Sequence, residues 1–173
     1  MSTLVLSPQL VQILEAASQL VDVTDSAALL LVVEQRLDWS RLRDLLGTRT
    51  VLIASDDESH LVGVADHGMS RIMIDVTGLP VHERLTQALL ECVAEDKIGP
   101  ESQVVAAYSG FEAGTVDSVS VLRLTEHLGQ LTSRDLRNLD TKVPLETLKV
   151  VVDMAVEIGR EGREGKPAGT LFV

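Results

Sequence analysis

The residues best suited to meet a ligand are Ser109, Gly110 and Thr115, in the loop Tyr108-Ser-Gly-Phe-Glu-Ala-Gly114 and just beyond it. A hydroxyl beside an exposed glycine N–H can hold an anion. The loop also leaves an apolar run, Gln103 to Ala107, that reads as a parallel strand. Open α/β sheets place their sites at the carboxyl ends of such strands. The same glycines serve equally well in a plain turn between two strands. Glu112 and Asp117 disfavour a phosphate close by. Ligand loop and simple hairpin connection both remain open.

Other constellations are weaker. Gly159, Gly162, Gly165 and Gly169 surround Lys166, but a phosphate loop needs glycine where Arg160 stands and Ser or Thr where Pro167 stands. The stretch also follows a helical pattern rather than a strand, so it reads as a helix stop and connector. His60, His67, His82 and His127 lack metal-ligand spacing and read as surface or helix-end residues. No Ser-His-Asp ordering or nucleophile elbow is apparent, and Asp56-Asp57 reads as a solvated face. No catalytic residue and no metal ligand is assigned. Cys92, the single cysteine, sits in a helical apolar pattern and reads as a small buried hydrophobe of a reducing compartment.

Composition narrows the class. At 173 residues the chain suits one domain plus an appendage. Aromatics are only 2%, so the core must be Leu, Val, Ile and Ala. A net charge of −11 argues against nucleic acid, which needs clustered Lys and Arg. No apolar run approaches the length of a membrane span, and Met1-Ser-Thr-Leu4 lacks a basic signal-peptide start, so a cytoplasmic location is expected.

The elements that would position the loop follow from periodicity. Ser7-Pro8 opens a helix with Leu10, Ile13, Leu14, Ala17 and Leu20 on one face. Ala27 to Val33 is a continuous apolar run, the mark of a strand buried on both faces. Asp38 caps a helix from Trp39 to Leu46, closed by Gly47, and Thr50 to Ala54 is the second buried strand. A weaker helix is expected from Asp56 to His67, then a strand from Arg71 to Val76 and a strong helix from Val81 to Ala94. A fifth strand, Ser118 to Leu124, follows the fourth after too short a loop for a crossover, so that pair should be antiparallel. The expected fold is an α/β three-layer sandwich with a mostly parallel five-stranded sheet and an antiparallel edge strand. The expected division is an α/β domain over 1–125, a linker over 126–143 with a helical turn at Ser133 to Leu139, and 144–173, where a C-terminal linker helix begins at Pro144. Leu148, Val151, Val152, Ala155 and Ile158 form its apolar stripe.

The chain closes on Gly-Arg-Glu-Gly-Arg-Glu-Gly-Lys-Pro-Ala-Gly-Thr-Leu-Phe-Val173, where Thr170 to Val173 read as the opening of a strand. The expectation is therefore that this is the front part of something longer. That stretch, with the helix from Leu145, resembles the entry to the nucleotide-binding domain, of the DNA-integrity-scanning type, of diadenylate cyclases. Those enzymes join two ATP molecules into cyclic di-AMP. The preceding residues resemble the N-terminal domain of archaeal-type members, similar in fold to the pyruvate kinase C-terminal domain. The family's Asp-Gly-Ala and Arg-His-Arg signatures are absent from the 173 residues.

The resemblance implies a non-catalytic regulatory or oligomerisation domain of a cyclic di-AMP synthase. ATP and a divalent metal would belong to the cyclase domain, with no cofactor in this chain. The alternative is a small-molecule-sensing domain that binds a metabolite or nucleotide at the strand-end loops around Ser109, Gly110 and Thr115. The expected partners are the chain's own cyclase domain and a second copy in a homodimer, with neither nucleic acid nor membrane. An apolar edge strand with Val119, Val121, Leu122 and Leu124 motivates the dimer.

Overall fold

The computed structural model describes residues 6–74 and 78–128. The chain divides into two units, 1–129 and 130–173, and the fold below is that of the first. The turn expected at Ser133 to Leu139, the helix from Pro144 and the glycine-rich end lie outside the described residues.

Helix α1 (Pro8–Val23) starts where Ser7 and Pro8 place it. The Ser7 hydroxyl accepts the Leu10 N–H at 3.1 Å, and Pro8 has no N–H to satisfy in that first turn. The buried stripe is Leu14, Ala17, Ser18 and Val21. Counted from Leu14 at helical spacing it reaches Val21, so Leu20, expected to face inward, is instead 36% exposed.

Strand β1 (Ala28–Val32) is buried along its whole length. It pairs in parallel with β2 (Val51–Ser55) on one side and with β4 (Gln103–Tyr108) on the other. Strand β3 (Ser70–Met73) extends the sheet beyond β2 in parallel, and β5 (Ser118–Arg123) closes the other edge antiparallel to β4. The order is β3-β2-β1-β4-β5, as the short β4–β5 connection requires.

Side chains alternate across β1 and so divide the core in two. Leu29 and Leu31 pack with Leu14 and Ala17 of α1 and with Trp39, Leu42 and Leu46 of α2 (Trp39–Leu46). Leu30 and Val32 pack with Leu85, Ala88, Leu89 and Cys92 of α3 (Val81–Ala94). The result is three layers with helices on both faces. Among the described residues no helix is long and apolar enough to cross a membrane.

Two segments depart from expectation. Asp56 to His67 does not form one helix; it makes two 3₁₀ turns, Glu58–Leu61 and Ala65–His67. The Asp57 carboxylate accepts the Ser59 N–H at 2.8 Å, and the Ser55 hydroxyl accepts the Asp57 N–H at 3.3 Å. These side chains offer the backbone an alternative to helical bonding. Gly63, at φ +87°, then separates the two turns. A β-carbon there would lie 3.5 Å from the Trp39 ring and 3.6 Å from the Arg36 guanidinium. The second departure is Leu124, which is not the last residue of the edge strand. It begins a short helix, α4 (Leu124–Leu128), and is wholly buried in the α3-side core. The outward-facing apolar residue of β5 is Val121, 41% exposed, while Val119 and Leu122 pack against the body.

Arg43 ties α2 to the turn between the second 3₁₀ segment and β3. Its guanidinium donates to the carbonyls of Gly47, Arg49, His67 and Gly68 at 2.5, 3.1, 3.1 and 3.0 Å. A planar fork of five donors suits four divergent carbonyls. Arg43→Met should cost roughly 2 kcal/mol, because the carbonyls lose charged donors. The exposed Arg71, 3.4 Å from Glu58, should cost less than about 0.5 kcal/mol on the same change. Urea midpoints of the two variants check this, and equal losses would show that Arg43 is only a surface charge.

Candidate functional site

The strand order reverses at β1. The chain steps from β1 to β2 and β3 on one side, and α3 then carries it back to β4 on the other side of β1. Connections leaving such neighbours on opposite faces open a crevice at the carboxyl ends of the strands. A cleft of about 220 Å³ lies there. Ser7, Gln9 and Leu10 at the start of α1 form one wall, and Val33, Glu34, Gln35 and Leu37 after β1 form the floor. Ser109, Gly114, Thr115 and Val116 of the β4–β5 loop form the other wall.

The loop is held by two carboxylates. Asp117 accepts the Gly110 N–H at 2.7 Å and the Ser118 hydroxyl at 2.8 Å on one oxygen. Its other oxygen accepts the N–H groups of Phe111 at 3.1 Å and Glu112 at 3.0 Å. The Gly110 bond, with the hydroxyl and the other amides, holds the Asp117 carboxyl below its ordinary 3.8, at about 2. Gly110 has to be glycine, because a β-carbon would collide with the Ser118 side chain. Glu34 makes the second attachment. One oxygen accepts the Gly114 N–H at 2.6 Å, and the other accepts from Arg84 of α3 at 2.8 Å. The Glu34–Arg84 pair is mostly buried, at 24% and 17% side-chain exposure.

Of the three residues singled out from sequence, Ser109 and Thr115 line the cleft. Gly110 is not among its lining residues, and its N–H is already donated to Asp117. The Ser109 and Thr115 hydroxyls and the Gln9 and Gln35 amides have no hydrogen-bond partner among the described residues. Sequence reasoning missed Glu34, Gln35 and Gln9. A polar triplet Glu34-Gln35-Arg36 directly after a wholly apolar strand was the available signal.

A second cluster lies beyond β2. The Ser55 hydroxyl is 3.0 Å from His60 Nδ1, and His60 Nε2 is 3.8 Å from Asp57. The three residue types of a hydrolase triad thus meet, although the sequence showed no such ordering. Ser55 is fully buried, so no substrate reaches its oxygen, and the cluster closes the 3₁₀ turn. Asp57 is held below the ordinary carboxylate range by the Ser59 hydroxyl, then by the Ser59 N–H. Burial pushes the Cys92 thiol up to about 12, in keeping with an unreactive core residue. Among the described residues no group of three His, Cys, Asp or Glu could hold a metal ion.

The Asp117 value has a defined sign. A carboxyl whose folded pKa lies below its unfolded one supports the folded loop fully above about pH 4. That support is lost as pH falls through about 2. The amide resonances of Gly110 and Glu112 should therefore titrate together near pH 2, and midpoints near 4 would show that the carboxylate is not held.

A family model described as "Probable sensor domain DacZ_P" matches residues 9–132. The diadenylate cyclase of Methanocaldococcus jannaschii is 44% identical over 61 residues, 35% of this chain. The match takes in 19% of that relative's length, so the chain corresponds to a small part of it. The resemblance to diadenylate cyclases read from the residues is borne out. Apart from Ser7, the residues that line the cleft, the loop and both of its carboxylate anchors fall inside the matched region, and the chain belongs to the DacZ_P sensor-domain family.

Proposed function

We propose that this chain is the regulatory domain of a diadenylate cyclase and that it senses a small molecule in the cleft between β1 and β4. The observation that carries this reading is the cleft itself. Three separate segments bring unpartnered hydroxyls and amides to one crevice at a strand switch point. One wall is latched by Gly114 to Glu34, and Glu34 in turn to Arg84 of α3. A molecule that settles against Thr115 competes with or reinforces that latch, which gives occupancy a route to α3. Two-site coupling of this kind is typically worth 1–3 kcal/mol, or roughly 5–150-fold.

In the longer enzyme, a compound that binds the cleft should change the rate of cyclic di-AMP formation by roughly fivefold or more. Thr115→Val should remove that response. Chromatographic assay of the product decides it, and a rate indifferent to every compound that binds would overturn the sensing reading. This chain alone, given ATP and magnesium or manganese, should form no cyclic di-AMP, because its 173 residues contain neither signature of the cyclase site. Product from this chain would overturn the division of labour.

The exposed Val121 on edge strand β5 favours a second reading, in which the domain fixes a dimer. A cyclic product made from two ATP molecules needs two sites facing each other, so a dimerising domain would govern output without a ligand. Light scattering at high micromolar concentration tests this, and a monomeric mass counts against it.

A further inference from the structure

We infer that the cleft between β1 and β4 takes an uncharged, hydroxyl- or amide-bearing molecule of about monosaccharide size and turns away phosphates and nucleotides. The inference rests on the sensing reading above and specifies its ligand. On this account the domain reports a metabolite other than the substrate or product of the cyclase reaction.

Three observations carry it. First, the backbone N–H groups that would make an anion nest in the loop and at the start of α1 are donated to the protein's own acceptors. In the β4–β5 loop the N–H groups of Gly110, Phe111 and Glu112 point to Asp117, and that of Gly114 points to Glu34. At the start of α1 the Ser7 hydroxyl takes the Leu10 N–H, the Ser7 carbonyl takes the Val11 N–H, and Pro8 offers none. Among the described residues no Lys, Arg or His lines the cleft. Among the described lining residues a phosphate meets the Glu34 carboxylate and no cation, so the cost of desolvating its charge is not met by an opposite charge there. An ammonium fares no better, since both Glu34 oxygens are engaged and Arg84 balances the charge.

Second, among the described residues the cleft side chains that remain unpartnered are the hydroxyls of Ser109 and Thr115 and the amides of Gln9 and Gln35. Each both donates and accepts. They match groups that also do both, which are hydroxyls and carboxamides. Leu10, Val33, Leu37 and Val116 supply an apolar surface for the C–H face of such a molecule. Third, a volume of about 220 Å³ falls below the range of roughly 300–1,000 Å³ usual for small-molecule pockets, which suits a monosaccharide-sized molecule better than a dinucleotide.

The test is thermal shift and titration calorimetry on the chain as it stands. One set of probes is uncharged, with glucose, myo-inositol, glycerol and nicotinamide. The other is charged, with inorganic phosphate, ATP, cyclic di-AMP and putrescine. At least one uncharged probe should raise Tm by several degrees, Thr115→Val should weaken its binding by about tenfold, and the charged set should be silent. Amide shift mapping at Gly114, Thr115 and Val116 gives a readout that needs no variant, should Thr115→Val misfold. Binding of phosphate or a nucleotide that perturbs those amides overturns the ligand class but leaves sensing in place. Silence of the whole uncharged set also overturns the class. An uncharged probe that binds there without altering the longer enzyme's output upholds the class and overturns the sensing reading.

Discussion

Strand β1 has to be covered on both faces, and the rest of the domain follows from that. Its side chains are apolar on either side, so neither face can meet water. Burying a Leu side chain is worth about 1.5–3 kcal/mol, and β1 presents Leu29, Leu30 and Leu31 in succession to opposite layers. Its peptide groups need partners too, so parallel neighbours flank it on both edges. Parallel neighbours require crossovers, and crossovers on both faces require the chain to reverse direction somewhere. It reverses beside β1, and the cleft is the geometric residue of that reversal.

Some of this was readable from the chain because the determinants are local. Ser7-Pro8, Asp38 and Gly47 act on the backbone within a turn of themselves, so α1 and α2 begin or end where these residues say. Helix α3 was equally plain, because Leu85, Ala88, Leu89 and Cys92 repeat at helical spacing without interruption. The segment 56–67 misled for a matching reason. Its composition allows a helix, but Asp57 and Ser55 bond to nearby backbone and Gly63 turns the chain, which helical periodicity does not register. Leu124 misled because an apolar residue at the end of a strand and one at the start of a helix look alike in sequence.

The candidate site was only half legible. Ser109 and Thr115 could be picked out because loops after parallel strands are where ligands collect. Glu34 could not be paired with anything, since Arg84 lies 50 positions away and Gly114 lies 80 away. Gly110 shows the limit most clearly. Next to a serine it looks like a donor offered outward, yet its N–H points to Asp117, seven positions on. Asp117, read from sequence as a reason for phosphate to stay away, is itself the anion that the loop encloses.

Leu124 gives the domain a fixed exit. It anchors the first turn of α4 in the same apolar layer as Leu85 and Leu89, and α4 packs against α3. Arg84, the residue through which Glu34 reaches α3, is one position from Leu85. Close-packed helices shift as units rather than yielding locally. Helix α3 thus touches both the latch on the cleft wall, through Arg84, and the helix that follows the edge strand, through the apolar layer around Leu124.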